Sequence, residues 1–140
     1  MRLIVSILQY IWALPNTSIG LVMGGVGLAT GGRVQRHGVV LEFHGGFVTL
    51  FMRIIRKAGM TLGYVILGPD TESLNIARAH ELVHVEQYGR WGPLFLPAYV
   101  LSSLVQWLKG KRPYRDNFLE VEAYAREPIN PISDDGKRNV

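Results

Sequence analysis

The chain of 140 residues contains no cysteine. Disulfide staples, thiolate metal ligands and a cysteine nucleophile are therefore excluded, and any bound metal has to be held by histidine and carboxylate. Charge is scarce as well. Only 19% of the residues are Asp, Glu, Lys or Arg against 48% hydrophobic, with a mean hydropathy of +0.14, and a chain this apolar raises contact with a membrane. An uninterrupted apolar run of the roughly 20 residues that a simple span needs is also missing. Residues 3–14 and 19–30 are nearly uncharged, but Pro15-Asn16-Thr17-Ser18 stands between them and reads as a turn-forming break. Together the two pieces are expected to form a tilted, broken span or a membrane-inserted hairpin; the alternative is a pair of buried core helices. Only Arg2 precedes the first run and no small-x-small cleavage site follows it, which argues against a cleaved signal peptide.

The net charge of +4 comes from 15 basic and 11 acidic residues, with clusters at Arg53, Arg56, Lys57 and at Lys109, Lys111, Arg112, Arg115. Such clusters suit phosphate or a solvated face. Nothing resembles a zinc finger, an RNA-recognition signature or an aromatic stacking platform, so no nucleic-acid partner is expected. The glycines at 24, 25, 27, 31 and 32 lack the spacing and the leading strand of a dinucleotide fingerprint. They fit close packing or turns.

At 140 residues one core is expected, with an apolar N-terminal segment (1–32), a metal-binding domain (33–130) and a polar tail (131–140). Arg33 to Phe43 reads as a hairpin turning at His37-Gly38. Over 47–57 the period changes to that of an amphipathic helix, with Phe47, Leu50, Phe51, Ile54 and Ile55 on one stripe. Thr61 to Leu67 (TLGYVIL) reads as one strand stopped by Gly68-Pro69. Asp70, Thr71 and Ser73 offer caps for a helix to about Tyr88; further helices are expected at 94–108 and from Asn117 to Arg126. The fold class that follows is α+β, predominantly helical, with a small antiparallel sheet.

Chemistry concentrates at His80-Glu81-Leu82-Val83-His84, an H-E-x-x-H pattern inside the expected helix. Histidines four apart lie about 40° apart around a helix and about 6 Å along it, so both imidazoles reach one ion. That is what a tetrahedral zinc asks of its first two ligands. Glu81 flanks the same face, where it can act as general base on the water that the ion activates. A catalytic zinc usually takes a third protein ligand. The metzincin solution is excluded, because Gln87 and Arg90 stand where it needs glycine and histidine. His37 and His44 remain, each beside a glycine in or near the hairpin, and so do the carboxylates of the last helix. Gln87, seven residues after His80, shares the metal-facing stripe and can support a ligand from behind.

H-E-L-V-H, thirty-five intervening residues and then Glu120-Val121-Glu122-Ala123-Tyr124 resemble the minimal and membrane-associated gluzincins, zinc metallopeptidases of zincin-like fold. The resemblance spans about residues 61–126. It implies zinc as cofactor, Glu120 as third ligand, and Glu122 pointing about 200° away around the helix. Tyr124 stands where that family often has an aspartate behind the ligands. The resemblance further implies that the strand at 61–67 holds an extended peptide or protein substrate by backbone pairing. For the transition-state oxyanion, Tyr88, Tyr99, Tyr114, Tyr124 and Arg115 are all candidates.

Two functions compete. One is a zinc metallopeptidase that hydrolyses peptide bonds with Glu81 as base. The other is a non-catalytic, membrane-associated interaction module whose metal site is structural or vestigial. Arg33 and Arg36 follow the second apolar run at once, which places the catalytic part on the cytoplasmic side of a membrane surface.

Overall fold

The computed structural model describes residues 2–128, with side chains from Ser6 onward, so the polar tail expected at 131–140 lies outside the described residues. The elements are α1 (Arg2–Ala29), β1 (Arg33–His37), β2 (Val40–His44), α2 (Gly46–Ile55), β3 (Met60–Leu62), β4 (Val65–Leu67), α3 (Thr71–Trp91), α4 (Phe95–Leu108) and α5 (Phe118–Arg126), with a 3-10 turn at Gly92–Leu94 before α4. The molecule is α+β, mostly helical, with one four-stranded sheet.

The two apolar pieces at the N-terminus are one helix of 28 residues, not two elements broken at 15–18. Pro15 sits inside it and removes one backbone donor. The polar residues that follow make tertiary anchors instead of a turn. Buried Asn16 donates its amide to the Gly92 carbonyl at 2.8 Å. The Thr17 hydroxyl donates to the Ala13 carbonyl at 2.9 Å and accepts the Tyr64 amide at 3.1 Å. The glycines have a matching purpose. A Cβ on Gly20 would stand 2.7 Å from Val65 Cβ, one on Gly24 2.6 Å from the Phe43 ring, and one on Gly27 2.7 Å from Val48. Spaced four and three apart, they form one face along which α1 lies directly on the sheet and on α2.

The sheet order is β1-β2-β4-β3, and it is mixed: the β1/β2 and β3/β4 pairs are antiparallel, but β2 and β4 run parallel. An all-antiparallel sheet was the expectation. The difference arises because α2 carries the chain across before the second hairpin, and parallel neighbours require such a crossover. The stretch 61–67 is likewise two strands, since Gly63, at φ 63°, opens a two-residue turn with Tyr64.

Side chains alternate across this sheet. Phe43, Val65 and Leu67 meet Val48 and Met52 of α2, while Val40 and Ile66 meet Leu74 and Val85 of α3. On the α3 side, fully buried Glu42 accepts two bonds from Arg78, at 2.7 and 2.9 Å, and one from Gln35 at 2.7 Å. Burial works to raise the Glu42 carboxyl, but these donors outweigh it and hold it below its ordinary pKa. The pair pins α3 to the sheet. Asp70 caps α3 by accepting the Ser73 amide at 2.7 Å, and the helix runs three residues past Tyr88 to Trp91, ending at Gly92 with φ 54°.

Candidate metal centre

His80, Glu81 and His84 lie on the inner side of α3, all buried. Helix α5 packs against α3, with Asn117 as its cap, and presents buried Glu120 to the two imidazoles. Ligand atoms of His80, His84 and Glu120 all lie within 4.8 Å of one another. The two Nε2 atoms are 3.1 Å apart, Glu120 Oε2 is 3.0 Å from His80 Nε2, and Glu120 Oε1 is 3.3 Å from His84 Nε2. Four ligands at about 2.0–2.1 Å from a tetrahedral zinc are spaced about 3.3–3.4 Å apart, close to these separations.

The outer partners decide what those Nε2 atoms are. His80 Nδ1 lies 3.1 Å from a Glu127 carboxylate oxygen. His84 Nδ1 lies 2.8 Å from Gln87 Oε1, and the amide orientation is set by the other end: Gln87 Nε2 donates to the Leu119 carbonyl at 2.9 Å and to Glu122 at 3.0 Å. Both Nδ1 atoms thus face acceptors and carry hydrogens, leaving two Nε2 lone pairs and a carboxylate converging on one point. Such a donor set can hold a cation. With protons as the only cations in reach, burial disfavours charge on His84, but Glu120 and Glu81 outweigh it and raise His84 above an ordinary imidazole. Burial likewise opposes a charged Glu120, yet its bonds to His80, His84 and Tyr99 hold it well below the usual carboxylate range. The residues present therefore fit a divalent ion, which would displace those protons.

No family model, curated protein or solved structure matches the chain. The site stands on its own geometry.

Glu81 stands beside the cluster, not in it. Thr61 on β3 donates its hydroxyl to Glu81 Oε2 at 2.6 Å and contacts the Glu81 carbonyl at 3.2 Å. Gly59 leaves room for the carboxylate, since a Cβ there would stand 2.9 Å from Glu81 Oε1. A cavity of about 210 Å³, walled by Met60, Leu62, Phe95 and Leu96, is bordered by Glu81, His84 and Glu120. A second of about 190 Å³ touches His80 and Glu81. Lys57 lines both. Burial pulls its pKa down, against the pull of Glu120 and Glu81, and its ammonium sits 3.3 Å from the centre of the Tyr114 ring. A wider groove of about 650 Å³ between α1 and α3 backs onto Glu122 and Arg90, away from the ligands.

The remaining sequence candidates separate cleanly. Glu122 pairs with Arg90 at 2.5 Å and with Arg126 at 3.2 Å. Tyr124 packs its ring on His80 with centroids 4.5 Å apart. His44 lies by Thr71 at 3.4 Å and His37 is exposed at the end of β1; neither joins the cluster. Among the tyrosines, Tyr99 donates to Glu120 Oε1 at 2.7 Å and Tyr88 to the Thr61 carbonyl at 3.0 Å, while Tyr114 faces Tyr124 at 3.4 Å. Arg115 lies 5.6 Å from the Tyr124 ring. Thr61, Lys57 and Glu127 are site residues that sequence reasoning missed. No short spacing announces them, because each arrives by a tertiary contact.

Proposed function

We propose that this protein is a zinc-dependent metallopeptidase of the gluzincin kind, acting on a polypeptide at a cytoplasmic membrane face. The observation that carries the reading is the convergence of two imidazole Nε2 atoms and one buried carboxylate, with a second buried carboxylate, Glu81, held just outside them. His80, His84 and Glu120 would hold the ion. Zinc, when bound, supplies Lewis acidity toward a carbonyl oxygen and toward a water.

The chain's own residues supply the rest. Glu81 takes the proton of the attacking water and returns it to the leaving amine. Thr61 binds one Glu81 oxygen, leaving the other for the water. Strand β3 is an edge of the sheet, and in a hairpin closed by two residues the Thr61 peptide groups point away from β4. Tyr88 occupies the outward carbonyl, so the Thr61 amide is the group left to pair with an extended substrate. An apolar substrate side chain fits the cavity walled by Met60, Leu62, Phe95 and Leu96.

The test is hydrolysis of an unstructured protein such as casein by the zinc-loaded chain, in parallel with Glu81→Gln. Cleavage by the parent and its loss in the variant, at equal metal content, is expected. Undiminished cleavage by Glu81→Gln removes Glu81 as base, and no cleavage by the fully loaded parent favours the non-catalytic module.

A further inference from the structure

Helix α1 is long and apolar enough to cross a membrane: Ser6–Ala29 makes 24 residues, about 36 Å of helix against a hydrocarbon core of about 30 Å. Its packing argues otherwise. Ala13 lies in a core cluster with Tyr88 and Phe95, Asn16 is tied to Gly92, Thr17 to Tyr64, and Gly20, Gly24 and Gly27 sit on the sheet and α2. The helix is attached from Ala13 to Gly27. To cross, it would drag a sheet with two open edges, β1 and β3, into hydrocarbon, where unpaired backbone groups have no partners.

The side of α1 that faces away from the body is nevertheless apolar. Ile7, Leu8, Ile11, Leu14, Ile19 and Val22 are each between 48 and 68% exposed. Helix α4 has the same character: it contains no charged residue, and Val100, Leu101, Leu104, Trp107 and Leu108 are each between 47 and 70% exposed. The two helices meet where Trp12 covers Gly92, at the turn that starts α4. Helix α3 differs, for its exposed positions include Glu72, Asn75, Glu86 and Arg90. Cations stand at the ends of both apolar helices. Exposed Arg33 and Arg36 follow α1; exposed Lys109, Lys111 and Arg112 follow α4 directly after Trp107 and Leu108, with Arg112 paired to Asp116. An amphipathic tryptophan beside lysines is the pattern of a helix lying at an anionic headgroup layer.

We propose that the protein binds one leaflet of an anionic bilayer in the membrane plane, with the outer faces of α1 and α4 immersed together and α1 not crossing. This binding mode uses no residue of the metal centre, so it is tested apart from the peptidase chemistry, while the membrane-face part of the proposed function rests on it. It also sets the cavity wall formed by Phe95 and Leu96 within two turns of lipid-facing side chains on the same helix.

The absence of cysteine makes the test direct. Single nitroxide labels on Leu8→Cys, Leu14→Cys and Val22→Cys in α1, Leu101→Cys and Leu104→Cys in α4, and Asn75→Cys in α3 report immersion in phosphatidylcholine vesicles containing phosphatidylglycerol, through collision with oxygen against an aqueous nickel chelate. All five apolar positions should be shielded from nickel at a similar shallow depth of about 5–10 Å, with Asn75 in water. Three results would overturn the proposal. Leu14 and Val22 could both lie near the bilayer midplane with Leu8 near an interface, as a span over Ser6–Ala29 requires. The α4 labels could remain as wet as Asn75. Label–label broadening without lipid, unchanged by vesicles, would make a second copy of the chain the occupant.

Discussion

Glu81 owes its position to residues outside its own helix. Thr61 holds one carboxylate oxygen at 2.6 Å, and the missing Cβ of Gly59 leaves space for the other. Thr61→Val keeps the shape and removes the donor. Hydrogen bonds to a charged group contribute about 1.5–3 kcal/mol, so kcat/KM on a cleaved peptide should fall about ten- to hundredfold at unchanged zinc content. Unchanged kcat/KM would mean that Glu81 is positioned by its helix alone. At this scale His80, Glu81 and His84 were legible because a helix repeats every 3.6 residues and their spacing falls on one face. Glu120 was legible only through the resemblance, since thirty-five residues separate it from His84 and no local period connects them. Glu127, which faces His80 Nδ1 across 47 positions, gave no signal at all.

Among the elements, α1 shows how tertiary contact overrides a local signal. Pro-Asn-Thr-Ser is turn chemistry when read alone. Docked on the body, Asn16 and Thr17 spend their hydrogen bonds on Gly92, Ala13 and Tyr64, and the helix continues. The hairpin β3–β4 was hidden for the opposite reason: a single glycine in an apolar run is weak punctuation, and its positive φ is visible only in the fold. The parallel β2–β4 pairing is non-local and had no signature in either strand. The close approach of α1 gives a sharp prediction. Gly24→Ala puts a methyl group 2.6 Å from the buried Phe43 ring, and overpacking of this kind costs about 1–3 kcal/mol. Urea unfolding of the two forms should show that loss; equal midpoints would mean that α1 does not lie on the sheet as described.

For the molecule as a whole, the α+β architecture brings two helices distant in sequence, α3 and α5, face to face. The Glu42–Arg78 pair holds α3 on the sheet, and Asn117 fixes α5 to α4 by donating to the Tyr99 carbonyl at 2.9 Å and Ser103 Oγ at 2.8 Å. The centre they form also distinguishes the two glutamates of α5. Glu120 points at the imidazoles, whereas Glu122 supports Gln87 and pairs with Arg90. Zinc titration of the purified chain, alone and as Glu120→Ala, Glu122→Ala and His80→Ala, therefore tests the central claim most directly. One zinc per chain is expected in the parent. Loss of a ligand should weaken it by more than about a hundredfold in Glu120→Ala and His80→Ala, whereas Glu122, acting behind the ligands, should cost at most about tenfold to a hundredfold. Stoichiometric zinc that survives His80→Ala, or that is weakened more by Glu122→Ala than by Glu120→Ala, would contradict the account.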